Sequence, residues 1–391
     1  MKREPGLDRA AWVLLFLFVF TVPFEKTFFI SGFGTASRLL GILTFLLAGL
    51  AFAAGRSLRT PNLLLALSAA FASWMALTWF WSIAPDATWT RAATCAQLFV
   101  MMWLVWEFAR AQHRQTALMS AYVAGAAVSS LATIVRFAQN QQTYYRRYAA
   151  YGFDPNDLAL TVALSIPLAL YVSHRSRGLA RWALWGAVAL ADAAVLLTGS
   201  RTALVASFAA FTFVALRWRS TAPVERAAGV ALAGLLLIGL VRLAPAASRE
   251  RLADFQAQAG TLHGRTRIWK AGLKAWKQHP IAGAGAGAYP AAVKPWLGVP
   301  PIPGHEYVAH NTFLSVLVEG GIAGLALFGA MLAAAVVFTW MMAPRDRALW
   351  FVMLAVWSTG VATLTWEYRK PTWLLLALIT TSWARAFREE T

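Results

Sequence analysis

Three arginines and one histidine lie in polar segments between hydrophobic stretches, where they could act together on a negatively charged substrate. They are Arg147, Arg201, Arg265 and His310. A guanidinium presents a planar fork that matches two oxygens of a phosphate, and imidazole accepts a proton near neutral pH. If the fold brings these side chains together, the arginines predict a phosphate seat and the histidine a general base beside it.

Arg201 lies in a very short polar turn, Thr198 to Thr202, between two apolar stretches. At the start of a helix its guanidinium would lie beside backbone N–H groups that attract anions, which predicts phosphate binding. An arginine at a helix end also extends its charge to the membrane interface without any substrate. The turn alone does not separate these two interpretations.

A second polar segment, residues 139–156, contains Arg146 and Arg147, followed by Asp154 and Asn156. Asp or Asn directly before an apolar run is typical of a helix cap or turn, which is the simpler interpretation of the latter pair. The two arginines have no such local explanation. They therefore stand as candidates for binding an anion.

The longest polar stretch, residues 244–311, is strongly basic, and Arg265 lies within it. After Arg265, two sets of residues recur three or four positions apart, as on a helix: Trp269, Leu273 and Trp276 on one face, and Lys270, Lys274 and Lys277 on a neighbouring face. A basic amphipathic helix of this kind lies on an anionic membrane surface, or it packs on other helices with a solvated lysine face. Both arrangements remain open.

The same stretch ends at His310 and Asn311, immediately before another apolar run. A lone histidine is most often structural, but the cationic residues on several other loops favour a chemical role here. Gly283, Gly285 and Gly287 lie upstream without a preceding strand, so they do not indicate a dinucleotide site.

The acidic residues and the single cysteine predict that the protein holds no metal and no cofactor. The acids in polar loops are scattered, without a DxD pair or an HExxH motif, whereas hard cations need clustered oxygen ligands. The lone Cys95 excludes a disulfide framework and a CxxC site. Arginines would then neutralise any bound phosphate. Asp192 lies deep in an apolar stretch and is expected to pair or to face a cavity.

The chain around these residues has the composition of a polytopic membrane protein. Of its 391 residues, 59% are hydrophobic and 13% are charged, whereas soluble proteins carry about 25% charged residues. The net charge of +18 would suit nucleic acid, but most cations lie in short loops, where membrane topology explains them better. We predict contact with membrane lipids and no nucleic-acid partner.

Apolar spans of about 17 to 25 residues can cross a bilayer as helices. We predict an all-α polytopic fold with about twelve such helices, forming one integral membrane domain over residues 1–391. Residues 244–311 form its long loop, between the ninth and tenth spans. The predicted spans are 11–30, 36–54, 62–81, 92–109, 117–138, 157–174, 179–198, 202–217, 226–243, 312–334, 348–366 and 371–385.

Lysine and arginine counts predict the orientation of these spans. Short loops on the side of the N-terminus hold about twice as many cations as short loops on the other side, and cations favour the cytoplasm. Both termini are therefore predicted to be cytoplasmic. The long loop, which ends at His310, and the short loops that contain Arg147 and Arg201 are predicted to be external.

The histidine segment resembles a known family. His310 and Asn311 are followed after nine residues by Gly321 and after two more by Gly324, which resembles the His-Asn/Ser/Gln motif of O-antigen ligases. Arg201 and the apolar residues after it resemble the arginine motif of the same family.

Two further segments carry the resemblance. Residues 264–269, followed by a His-Pro pair and glycines, are similar to a region shared by O-antigen ligases, O-antigen polymerases and related O-oligosaccharyltransferases. Residues 152–159, which include Asn156, are similar to another family element. Together these similarities cover most of residues 140–330.

The resemblance implies a GT-C-like glycosyltransferase of the bacterial inner membrane, with a periplasmic active site. The implied donor is an O-antigen polysaccharide linked through diphosphate to undecaprenol, and the implied acceptor is a hydroxyl of lipid A-core. The family reaction is regarded as metal-independent and inverting. This agrees with the scattered carboxylates of the sequence.

The same resemblance assigns expected roles. Arg201 and Arg265 are expected to hold the donor diphosphate, with Arg147 adding charge or guiding the donor. His310 is expected to take the proton of the acceptor hydroxyl.

Three further residues are secondary candidates. Asn156 and Asn311 are expected to bind substrate, and Asn311 could also orient the histidine before it. His305 is a weaker candidate for the base because it lacks the downstream glycine spacing. By its charge, the lysine face of the long loop could meet the phosphates of lipid A or core.

Three alternative functions remain. An O-antigen polymerase uses the same donor type but a lipid-linked glycan as acceptor, and a protein-directed O-oligosaccharyltransferase acts on protein. The His-Asn-Gly-Gly pattern and the lack of a large additional C-terminal domain favour the ligase. A lipid-linked oligosaccharide flippase or transporter would line a membrane pathway with charge. Here the polar candidates gather on external loops, and the sequence has no evident inverted repeat.

Overall fold

The computed structural model describes residues 5–30, 34–143, 147–216, 255–298 and 306–389, with isolated residues between 222 and 238. Within these ranges the chain is mostly helical, as predicted. The helices are α1 Pro5–Thr21, α2 Ala36–Ala53, α3 Leu63–Leu77, α4 Pro85–Phe108, α5 Gln112–Ala138, α6 Pro155–Ala163, α7 Ser165–Ser173, α8 Gly178–Thr198, α9 Arg201–Leu216, α10 Phe255–Trp276, α11 Tyr289–Val293, α12 Thr312–Trp340, α13 Pro344–Val361 and α14 Lys370–Glu389.

Short elements connect some of these helices. Short 3-10 helices lie at Val22–Phe24, Thr78–Trp81 and Lys294–Trp296. The antiparallel strands β1 Phe29–Ile30 and β2 Gly34–Thr35 form a small hairpin before α2. The interior of the helix bundle is filled largely by aromatic and aliphatic side chains, and its largest buried members include Trp106, Trp350, Trp357, Trp366 and Trp373.

Seven helical segments in the described part of the chain are long and apolar enough to cross a membrane. This is consistent with a polytopic membrane protein. The segments are Gly6–Phe24, Ala36–Ala53, Leu63–Trp81, Gln112–Ala138, Pro155–Ser173, Gly178–Thr198 and Thr312–Trp340. Helices α4, α9, α13 and α14 lie where four more spans are predicted. The span predicted at 226–243 lies mostly outside the described residues.

Proline accounts for two departures from the predicted boundaries. The predicted span 157–174 is interrupted at Leu164, because Pro167 has no N–H to donate to the carbonyl of Ala163. The first span begins before residue 11, since α1 starts at Pro5. It ends before residue 30, because a 3-10 helix that contains Pro23 turns the chain after Phe24.

Contacts between loops divide them into two ends of the bundle. At one end, which we call the His310 end, the contacts are Lys26 to Asp157, Thr27 to Tyr151, Ile83 to Ala284 and Thr202 to Thr363. At the other, the Asp8 end, they are Arg56 to Asp8, Arg110 to Ser57, Gln115 to Thr381 and Arg385 to Asp346. These two sets match the two sides that the lysine and arginine counts separate.

The described part of the long loop contains two helices, α10 and α11. The helix expected from the spacing of Trp269, Leu273 and Trp276 is present, but a different face is buried. Ala271 and Ala275 are buried against a cluster that includes Val318 of α12, whereas Leu273 is 46% exposed. Small side chains let the two helices approach closely, so α10 packs on the bundle and leaves its lysine face exposed.

A backbone seam joins residues 280–285 to α12. Four hydrogen bonds form it: Ala284 N to Val318 O at 2.9 Å, Gly285 N to Glu319 O at 3.0 Å, Ile322 N to Pro280 O at 2.9 Å and Ala323 N to Ile281 O at 3.2 Å. Gly321 kinks α12 with φ 67°, and Gly283 faces it with φ 75°. A Cβ on either glycine would collide with the backbone opposite, so this close approach requires glycine on both sides.

Candidate functional site

Three helix starts that lie next to predicted site residues contact one short connection, residues 362–369, between α13 and α14. This 362–369 loop bonds the first turns of α6 and α9 and the residue that caps α12. Those three helix starts carry Asn156, Arg201 and the residues after His310. Helix N-termini present unpaired N–H groups and the positive end of the helix dipole, so their convergence favours an anion.

Arg201 is the first residue of α9, as the sequence predicts. Helix α8 ends at Gly199 in the left-handed conformation (φ 59°), which reverses the chain within two residues. The hydroxyls of Thr202 and Thr363 lie 3.2 Å apart and tie the first turn of α9 to the 362–369 loop. The short turn thus fixes where Arg201 leaves the backbone.

Arg147 and Asn156 are brought into direct contact. One guanidinium nitrogen of Arg147 donates to Asn156 Oδ1 at 2.8 Å, and its Nε donates to the carbonyl of Thr198. The Arg147 side chain is almost completely buried. It therefore links the polar 139–156 segment to the end of α8, three residues before Arg201.

The simpler interpretation of Asp154 is confirmed, because its carboxylate accepts from the backbone N–H groups of Asn156 and Asp157 and so caps α6. Asp157 is the centre of a separate network. It receives Lys26 at 3.2 Å, Arg369 at 2.7 Å and the Trp366 indole at 3.0 Å. Arg369 thus ties α6 to the 362–369 loop, and Lys26 ties α6 to the segment after α1.

His310 lies at the start of α12 in the left-handed conformation, with φ 46°. This conformation is uncommon for a residue with a side chain, and such residues cluster at functional sites. Asn311 caps α12 by accepting from Leu314 N at 2.9 Å, and its amide donates to Ala362 O at 3.3 Å. The Asn311 amide is therefore used to anchor the helix start that carries His310.

Thr312 completes this anchor. Its hydroxyl donates to Leu364 O at 2.9 Å and accepts from Trp366 N at 2.9 Å. The 362–369 loop therefore bonds the residues next to His310 and, through Thr363, the residue next to Arg201. His310 and Arg201 are thus each next in sequence to, or two residues from, side chains that bond this one loop.

Arg265 is connected to the same region from the other side. It lies one turn before Trp269 on α10, and the Trp269 indole donates to Ala309 O at 2.9 Å. Ala309 immediately precedes His310. A turn of helix rises about 5.4 Å, so the helical turn of Arg265 adjoins the histidine segment.

Other candidates lie apart from this region or outside the described residues. Lys270, Lys274 and Lys277 are exposed on α10. His305 and Arg146 are outside the described residues. Asp192 is buried in α8, and its carboxyl oxygens hydrogen-bond to no described residue. In the described part of the chain, no group of three His, Cys, Asp or Glu residues could hold a metal ion.

A second polar group at this end was not found from the sequence. Glu319 of α12 accepts from Gly287 N at 2.7 Å, from Tyr289 N at 3.4 Å and from the Tyr368 hydroxyl at 2.6 Å. Burial raises the pKa of Tyr368, so its hydroxyl keeps the proton that it donates to Glu319. Gly283 lets the chain approach α12 closely, whereas Gly285 lies against Ser82 and Gly287 against Ala87 of α4.

Helices long enough to cross a membrane are consistent with a polytopic membrane protein, and the helix starts next to Arg201 and His310 lie at one end of it. The "O-Antigen ligase" family model matches residues 185–329. That region contains Arg201, Arg265 and His310 but not Arg147 or Asn156.

An O-antigen ligase of Pseudomonas aeruginosa is 30% identical to this chain over 277 residues, which is 69% of this chain and 63% of the relative. The chain thus spans a little under two thirds of that relative's length. The chain belongs to the O-antigen ligase family. The histidine and arginine motifs identified in the sequence lie within the matched family region.

Proposed function

We propose that this protein is a glycosyltransferase that moves a polysaccharide from undecaprenyl diphosphate to a hydroxyl of lipid A-core. The family match and the name of the Pseudomonas aeruginosa relative support a ligase. The observation that carries the proposal is the 362–369 loop. It bonds the starts of α9 and α12, while α10 is tied to Ala309, and these contacts support a shared region for Arg201, Arg265 and His310.

Positive charge and helix starts would hold the donor diphosphate. In this proposal Arg201, at the N-terminus of α9, and Arg265, beside the His310 segment, bind the phosphate oxygens. Arg147 already donates to Thr198 and Asn156, so we assign it a supporting part: it adds positive potential and fixes the α8–α9 turn. These groups would stabilise the negative charge that develops on the leaving diphosphate.

His310 would act as the general base. The acceptor oxygen attacks the anomeric carbon of the donor sugar from the face opposite the diphosphate, and its proton passes to the imidazole. The bond between the anomeric carbon and the diphosphate oxygen breaks, and the electron pair leaves with the diphosphate. This step inverts the anomeric centre and needs no metal. Asn311 would support the base by capping its helix, and Asn156 would line the donor side.

The proposal includes a membrane arrangement. We propose one GT-C-like domain of about twelve membrane helices over residues 1–391, with residues 244–311 as its long periplasmic loop. The His310 end would face the periplasm across the inner membrane, and the Asp8 end, near both termini, would face the cytoplasm. The excess of lysine and arginine in short loops of the Asp8 end supports this orientation.

A reconstituted reaction tests the function. Purified protein in lipid vesicles is incubated with polyprenyl-diphosphate glycan and lipid A-core in the presence of EDTA, and products are separated by electrophoresis. The proposal expects glycan attached to lipid A-core. Lengthened donor without modified lipid A-core would instead identify a polymerase. Donor that crosses the bilayer without glycan transfer would identify a flippase.

A further inference from the structure

A cavity of about 700 Å³ lies next to the segment that ends at His310. It is bounded by α4, by residues 287–297 and by Tyr307 to Ala309, and the 362–369 loop closes it on one side. This volume is typical of a small-molecule site. Its described lining includes none of Arg147, Arg201 and Arg265, so the cavity is separate from the proposed diphosphate seat.

Arg91 is the distinctive side chain of this cavity. Its guanidinium lies 4.3 Å from the centre of the Tyr368 ring, which supports it as a flat platform. Among the described residues, Arg91 donates no hydrogen bond. A guanidinium has five N–H donors, and leaving them unmatched in a partly buried place is unfavourable. A ligand that supplies oxygen acceptors would satisfy them.

Glu319 does not fill this requirement. It is near enough to attract Arg91 electrostatically, but its oxygens accept from Gly287, Tyr289 and Tyr368. The carboxylate thus fixes the tyrosine platform beneath Arg91 and leaves the guanidinium fork to the cavity. Lys294 lines the same cavity and adds a second cation, and Glu306 is the other acid of the described lining besides Glu319.

We propose that this cavity receives the acceptor saccharide and that Arg91 binds an anionic group, a phosphate or a carboxylate, on that saccharide. The proposal rests on the proposed glycosyl transfer. It names the acceptor side because Ala309, next to the proposed base, lines the cavity, whereas the proposed diphosphate ligands do not. The exposed hydroxyl of Thr90 in the same lining would bind a sugar hydroxyl.

Isothermal titration calorimetry tests this inference without turnover. It measures the affinity of the purified full chain for the deacylated core oligosaccharide. Arg91→Gln should weaken binding about tenfold or more, because a charge-assisted hydrogen bond is lost. Arg91→Lys keeps the positive charge but loses the planar pair of donors, so its affinity should lie between those of Arg91→Gln and the unmodified protein. Arg38→Gln removes an arginine outside this cavity and should bind as the unmodified protein does. Melting temperatures of all three variants confirm folding.

Treated oligosaccharides identify the anionic group. Loss of affinity after phosphatase treatment assigns a phosphate. Loss of affinity after reduction of the carboxyl groups assigns a carboxylate. In either case, the treatment should not change the affinity of Arg91→Gln. Equal binding by Arg91→Gln and the unmodified protein would overturn the inference. So would a raised KM for the donor with an unchanged KM for the acceptor.

The two proposals fail separately. Normal glycan transfer with Arg91-independent binding of core would refute the cavity assignment alone. Arg91-dependent binding of core without any transfer to lipid A-core would refute the proposed function and keep the binding site.

Discussion

The 362–369 loop separates two charged regions that differ in how completely their groups are paired. On one side, Asp157 receives Lys26, Arg369 and the Trp366 indole. On the other side, the Glu319 carboxylate accepts hydrogen bonds from two backbone N–H groups and from Tyr368, and Arg91 lines a cavity. We call these the closed and the open region.

Paired charges position a structure, and unpaired donors in a cavity bind a ligand. The closed region ties the N-terminal part of the chain, α6 and the start of α14 together, with Lys370 bonded to Glu25 and Ser37 beside it. Several cations at the His310 end are therefore explained by the fold, without substrate. The chemical interpretation is confined to the remaining cations and to His310.

The largest effect is expected on the open side, at the proposed base. His310→Asn should lower glycan transfer by about 10²- to 10⁴-fold, since that is the usual contribution of a general base. Asparagine tolerates the left-handed backbone of this position, so the melting temperature should stay the same. Transfer rates with purified variants measure the loss. Unchanged transfer would remove His310 from the chemistry.

The backbone seam supports the open region, and Gly321→Ala should break it. The new Cβ would collide with the backbone of Ile281 and Gly283, and the alanine would be held at an unfavourable positive φ. Together these should lower the free energy of unfolding by about 3 kcal/mol or more. Gly329→Ala, in the same helix with open space around it, is the matched control. Thermal unfolding in detergent should be lowered by the first change alone. A stable Gly321→Ala protein would contradict the role of the seam.

Glu367 lies on the loop between the two regions, and its burial makes stability depend on pH. Burial, with the nearby Glu319 charge adding to it, raises the pKa of Glu367 to about 7, against about 4.3 in an unfolded chain. The folded state holds the proton more tightly, so stability should fall as pH rises from about 4 to 7 and then level off. The full loss is on the order of 3 kcal/mol.

Glu367→Gln should remove this dependence and give the more stable protein at pH 7 and above. The measurement is the melting temperature of each variant from about pH 4 to above pH 7. Exposed Asp86→Asn serves as the control and should keep the fall. Equal slopes for both variants would show that Glu367 is not the group responsible.

The smallest effect should separate the two regions directly. Asp157→Asn leaves Lys26 and Arg369 without their carboxylate, and because both cations are partly exposed, the expected loss of stability is about 1 to 2 kcal/mol. Arg91→Gln breaks no described hydrogen bond and should leave the melting temperature unchanged while weakening acceptor binding. The reverse pattern of melting temperatures would mean that the two regions have been assigned the wrong way round.

Local patterns in the sequence predicted much of this arrangement. Apolar run lengths indicated the helices, the Thr198 to Thr202 turn placed Arg201 at a helix start, and the residues before α6 indicated a cap at Asp154. Each of these features depends on neighbours in the chain. The interruption at Leu164 was equally local, because Pro167 is present in the sequence.

Long-range contacts could not be predicted in this way. Trp366 and Asp157 are 209 residues apart, and Tyr368 and Glu319 are 49 residues apart, so neither pair leaves a local pattern. Arg91 was not singled out from the sequence, since its cavity is built from segments that no spacing rule connects. On α10, the spacing of the large apolar residues did not indicate that Ala271 and Ala275 would be buried beside α12.

The backbone seam has a consequence for how such proteins diversify. Its hydrogen bonds use main-chain groups, so they do not depend on which side chains surround them, provided that glycine stays at residues 283 and 321. Lys294 and Thr90, which line the cavity but make no seam bond, are free to change during evolution. One rigid frame could therefore accept many different saccharides, and an engineer seeking a new acceptor should vary the cavity wall and keep the glycines.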